Sequence, residues 1–131
     1  MIGLDTNVLL RLLLNDHPPQ VTRARALLTE LREEGEPAYI PVGVVLETVW
    51  VVRRQNRVPK PEVVAFLRDL TSAPDFVVGD RDIVARATTA WAIGRGDFAE
   101  YLFREQALAA GATALATFDG AVAGEDGFRI P

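Results

Sequence analysis

The sequence has no cysteine, one histidine and, in Lys60, one lysine. Without cysteine, disulfides and thiolate metal sites are both excluded. Any bound metal must be held by oxygen ligands or by His17, which stands before Pro18 and Pro19 in an expected surface loop. With so little lysine, the basic residues are almost all arginine. Arginine's planar fork suits phosphate groups, although a coding bias toward arginine explains the same composition. A net charge of −4 argues against a simple electrostatic nucleic-acid binder, which is usually basic. Long apolar runs are also lacking. Val8–Leu14 is short, is interrupted by Arg11 and follows the polar Asp5-Thr6-Asn7, so it reads neither as a signal peptide nor as a membrane span. The expectation is a cytoplasmic protein with no membrane association.

What is present is a chain of 131 residues, 49% hydrophobic and 24% charged. That suffices for a single domain, 1–131, with a core of its own. Short apolar runs alternate with helical patterns, which predicts an α/β fold with a mainly parallel sheet. Met1–Leu4, Ala38–Val42, Phe76–Gly79 and Ala114–Phe118 read as strands, with Phe128–Ile130 a short fifth. Val21, Ala24, Leu27, Leu28 and Leu31 form one helical stripe ended by Gly35, and Val63, Val64, Phe66, Leu67 and Leu70 form another. Val44–Val52 is rich in β-branched residues, yet its length and polar tail favour a buried helix. Asp80 is placed to cap a helix running to Gly94, and a further helix runs from near Asp97 to Gly111.

Five acids stand at element boundaries or in apolar surroundings: Asp5, Glu47, Asp97, Glu100 and Asp119. Asp5 and Asp119 follow strands, and the other three fall in the first turns of helices. In a parallel sheet flanked by antiparallel helices, all five converge at the carboxyl edge, where ligands of open α/β sheets bind. Simpler roles exist for each. Asp5 and Asp119 can cap helices, and Asp97 and Glu100, three residues apart on one face, can complement a helix dipole. Glu47, among Val44, Val45, Leu46, Val49 and Trp50, would be costly to bury without a partner, or else points to solvent. Crowded carboxylates repel one another, and a divalent cation relieves that conflict. Hard oxygen donors select Mg²⁺ or Mn²⁺. One ion, or two about 4 Å apart, can activate water and stabilise charge developing on a phosphoryl oxygen.

Other candidates are weaker. Arg53, Arg54 and Arg57 form the densest basic cluster, fit either for RNA phosphates or for a solvated helix end. Trp50, Trp91, Phe98, Tyr101 and Phe103 can stack bases or pack a core. Ser72 has no evident histidine partner, which argues against a serine triad.

Four blocks carry a family resemblance: MIGLDTNVLLRLLLND, VVLETVWVV, GRGDFAEYLFREQALAAG and ATFDGAVA. In their order and spacing they resemble the VapC-like PIN domains, ribonuclease toxins of type II toxin–antitoxin systems. The resemblance implies a three-layer α/β/α PIN fold with a central sheet of four or five mainly parallel strands. It also implies Mg²⁺- or Mn²⁺-dependent endoribonuclease activity on an RNA substrate, a cognate antitoxin partner and a homodimer. It maps metal binding onto Asp5, Glu47 and Asp119, with Thr6, Asn7 and Thr117 as supporting polar groups. Relatives usually carry aspartate where this chain has Glu100, often with a second aspartate where it has Asp97; the extra methylene of Glu100 displaces its oxygens, so the resemblance favours Asp97 as the third catalytic ligand, with Glu100 assisting or replacing it. In the family an antitoxin wraps an apolar groove, for which Leu9, Leu10, Leu13 and Leu27 are candidates, with ordinary core packing as the equal alternative. The alternative reading is a catalytically silent PIN-fold module that binds RNA or protein.

Overall fold

A computed structural model describes residues 1–131 and divides them into two compact units, Met1–Arg81 and Asp82–Pro131. The first unit runs β1 (Ile2–Gly3), α1 (Thr6–Leu13), α2 (Pro18–Glu33), β2 (Ala38–Ile40), α3 (Val42–Arg54), α4 (Lys60–Ser72) and β3 (Phe76–Val78). Pro18 and Pro19 start α2 rather than merely interrupting the chain, because the first turn of a helix needs no N–H from them. His17 accepts a hydrogen bond from the Gln20 N–H at 3.3 Å and so caps that helix. Gly35, at φ +70°, supplies the left-handed backbone that ends it. The valine-rich run becomes α3 because Val45, Thr48, Val49 and Val52 fall at helical spacing on one buried stripe.

The three strands of this unit are parallel in the order β1-β2-β3, with Ile2 opposite Ala38 and Ala38 opposite Phe76. Leu9 and Leu10 are buried in α1, so these two belong to the core and not to an open apolar groove. Val21, Ala24 and Leu31 of the α2 stripe are buried too.

The second unit holds α5 (Arg81–Ile93, beginning at the boundary residue), α6 (Phe98–Ala109), β4 (Leu115–Ala116), a 3-10 turn (Gly120–Val122) and β5 (Phe128–Arg129). β4 and β5 are parallel, with Leu115 opposite Phe128. The α/β class with parallel strands is therefore as the sequence predicts. The five strands are hydrogen-bonded as a set of three and a set of two, not as one ladder, and none exceeds three residues. Asp80 stands directly before α5. It takes φ +50° in the tight turn after β3, a left-handed conformation that aspartate tolerates better than most residues. No helix is long and apolar enough to cross a membrane.

The core of the second unit is aromatic. Trp91 meets Phe98 edge-on at 5.6 Å, and the fully buried Tyr101 meets Phe128 edge-on at 5.8 Å. The Tyr101 hydroxyl accepts the Gly96 N–H at 3.0 Å and donates to the Glu125 carboxylate at 2.9 Å. Burial pushes the phenol above its ordinary pKa of 10.0; the Gly96 N–H opposes this and the Glu125 carboxylate adds to it. The fold thus favours neutral Tyr101. Its contribution is fully present below pH 10.0 and is lost as pH rises through the higher folded value. Between pH 8 and pH 11 (about two units below and about one unit above the ordinary phenol value), the urea midpoint should fall further for wild type than for Tyr101→Phe.

Candidate functional site

Asp5 lies two residues beyond β1, where the Leu4 N–H still bonds the Tyr39 carbonyl at 2.8 Å and so fixes the exit of the strand. Its Oδ1 accepts the Val8 N–H at 3.1 Å, capping α1. Capping occupies one carboxylate oxygen, and the second is left for another partner. Asp119 repeats this arrangement in the second unit. Its Oδ1 accepts the Ala121 N–H at 2.9 Å, and its own N–H is held by the Thr117 hydroxyl at 3.1 Å. Thr117 is thus the residue that shapes the turn carrying Asp119.

Asp97 is the N-cap residue of α6, but its side chain makes no capping bond to the helix. Glu100 lies in the first turn, its N–H bonded to the Asp97 carbonyl at 3.0 Å. Its carboxyl is raised above the ordinary carboxylate range, first by partial burial and then by the negative charge of Asp119, with a smaller push from Asp97. The Thr117 hydroxyl works in the opposite direction by hydrogen bonding to it. The second unit therefore brings Asp119 and, more weakly, Asp97 into electrostatic range of Glu100, with the Thr117 hydroxyl bonded to the Glu100 carboxyl and to the Asp119 N–H. This is the conflict among like charges that a hard cation relieves.

Glu47 corrects the argument from its neighbours in sequence. It is exposed on α3, because Val45, Thr48, Val49 and Val52 take the buried stripe and leave Glu47 and Trp50 on the open side. A buried, unpaired charge is thus not the reason to single it out. An exposed carboxylate early in a helix remains an available oxygen donor.

By chemistry the donor set suits Mg²⁺ or Mn²⁺, being all oxygen with capped and oriented aspartates. As the side chains stand, no group of three or more acids or histidines is disposed to hold a metal ion.

Asp5 also lines a cavity of about 430 Å³ in the first unit, together with Asn7, Arg11 and Arg23. Thr6 is half-buried at the start of α1 and Asn7 is exposed. The arginine cluster is exposed at and just past the end of α3. Arg53 donates to the Val58 carbonyl at 3.0 Å, and Arg57 takes φ +50°. Of the aromatics, Trp91, Phe98 and Tyr101 are core residues, whereas Trp50 and Phe103 are exposed. Sequence reasoning passed over Phe118, which is 84% exposed directly beside Asp119. An apolar residue predicted as a strand end yet flanked by Thr117 and Asp119 was the available signal.

A family profile described as PIN domain matches residues 2–123. Among curated proteins the comparison finds no match.

Proposed function

From the premise that the chain belongs to the PIN-domain family and has its nuclease-type fold, we propose that it is a Mg²⁺- or Mn²⁺-dependent endoribonuclease acting as the toxin of a type II toxin–antitoxin system. The observation that carries this reading is the family match over residues 2–123 in a chain whose Asp5 and Asp119 each cap a turn through one carboxylate oxygen. Asp5, Glu47 and Asp119 would hold the metal, with Asp97 or Glu100 as the further ligand. The bound cation supplies a more acidic water and stabilises charge developing on the phosphoryl oxygen. The chain's own part is orientation. Val8 and Ala121 backbone N–H groups fix one oxygen of Asp5 and of Asp119, and Thr117 holds the turn before Asp119. Thr6 and Asn7, beside Asp5, are supporting polar groups in this reading. The same reading includes a cytoplasmic setting, a homodimer and a cognate antitoxin.

Purified protein incubated with a mixed pool of structured RNAs tests the proposal. Cleavage is expected in Mn²⁺ or Mg²⁺ and should vanish with chelator and in Glu47→Gln. Asp97→Asn and Glu100→Gln, assayed alongside, separate the two contenders for the further ligand by which of them loses Mn²⁺ affinity. Absence of both cleavage and Mn²⁺ binding would instead identify a silent PIN-fold interaction module.

A further inference from the structure

The cavity at Asp5 has a charge pattern that the metal reading does not use. Its walls come from two helix faces. Asn7, Val8 and Arg11 contribute from α1, and Gln20, Arg23 and Leu27 stand at helical spacing along α2. Arg11 is held in place: its Nε donates to Gln20 Oε1 at 2.6 Å and its guanidinium pairs with Asp16 at 3.0 Å. Arg23 is different. It lies exposed on the α2 wall and enters no ion pair. The charge of Arg11 is met by Asp16, which leaves Arg23 as the guanidinium of the lining with no ion-pair partner.

We propose that this cavity binds one backbone phosphodiester of a single-stranded RNA, with Arg23 as its ion-pairing group and Arg11, braced by Asp16 and Gln20, as a second fixed donor. The proposal rests on the nuclease reading, since the same cavity contains Asp5. Asp5 and Arg23 line the same cavity, so a strand with its scissile phosphate at Asp5 would have flanking backbone within that cavity. An arginine fork can engage a neighbouring phosphate there through two parallel N–H bonds. The cavity thereby positions the strand and reads no base. Phosphate contacts fix register without carrying sequence information.

The test is binding, not turnover. A Glu47→Gln background, whose altered residue does not line the cavity, is titrated into fluorescent single-stranded RNA of mixed sequence at several salt concentrations. Adding Arg23→Gln should weaken binding roughly fivefold at low salt and make the slope of log affinity against log salt shallower by about 0.7, the value for one lost contact to a single strand. Arg25→Gln, also exposed on α2 but outside the cavity lining, should leave both unchanged. If Arg23→Gln behaves like Arg25→Gln while the background protein binds RNA, the phosphate site is wrong and the nuclease reading stands. If no variant binds RNA and wild type does not cut it, both fall. If Arg23→Gln weakens binding of polyglutamate and spares RNA, the cavity belongs to an acidic protein partner and the proposal is overturned.

Discussion

Asp5→Asn is expected to lower metal-dependent RNA cleavage by more than about a hundredfold, beyond the 10- to 100-fold typical of losing a metal ligand's outer partner. It should do so with the fold intact. Asp5 has two jobs that this substitution separates. As a cap, it accepts the Val8 N–H through Oδ1, and asparagine does this about as well as aspartate. As a proposed ligand, it needs its negative charge, which the amide lacks and a hard cation prefers. Only the interaction of charge with the helix dipole is lost from stability, about 0.3–1 kcal/mol. Asp5→Ala makes the contrast, removing cap and ligand together and costing a further ~1 kcal/mol. Asp119→Asn should follow the same pattern in the second unit, since its bond to the Ala121 N–H survives. Initial rates in Mn²⁺, calorimetric Mn²⁺ titration and urea unfolding of the same preparations decide the matter. Full activity in Asp5→Asn would overturn the proposed metal role.

The order of elements was legible because two periodicities are written plainly along the chain. The α3 stripe is the clearest case. Valine content alone allows a strand there, but Val45, Thr48, Val49 and Val52 are spaced for a helix, and a helix is what forms. That stripe already contained the answer for Glu47. Residues adjacent in sequence are not neighbours on a helix, so the flanking valines say little about its burial; the spacing places it on the open side. Asp5 and Asp119 were legible as acids following strands, fit either to cap a helix or to bind a metal. That one oxygen caps while the other stays available is visible only in the folded chain, because a cap is defined by the direction of one N–H. The cavity between α1 and α2 and the freedom of Arg23 depend on how two helix faces meet, which local pattern does not encode. Neither does the hydrogen-bond set around Tyr101, whose partners Gly96 and Glu125 come from opposite sides of it in sequence.

Gly94→Ala should destabilise the protein by roughly 3 kcal/mol, combining overpacking with a disturbed buried hydrogen bond. For a chain of this size that corresponds to a fall in Tm of about 10 °C. Gly94 follows the end of α5, its N–H bonded to the Ala90 carbonyl at 2.9 Å. A Cβ there would overlap the Tyr101 hydroxyl and ring carbon Cζ and stand 2.9 Å from that same carbonyl. The ring has no easy retreat. It is fully buried, tied through its oxygen to Gly96 and Glu125, and covered by the Arg104 guanidinium 5.2 Å from its centroid. Moving the hydroxyl would also strip the buried Gly96 N–H of its acceptor. Gly43→Ala is the matching control. Gly43 lies in α3 with nothing within 4 Å of the added methyl. There the substitution should be neutral or should stabilise by about 0.5–1 kcal/mol through the lower chain entropy of alanine. A double-mutant cycle identifies the cause. If the hydroxyl is the obstacle, Gly94→Ala costs less in a Tyr101→Phe background than in wild type. Equal costs in the two backgrounds would place the strain in the α5 backbone at Ala90 and acquit the tyrosine.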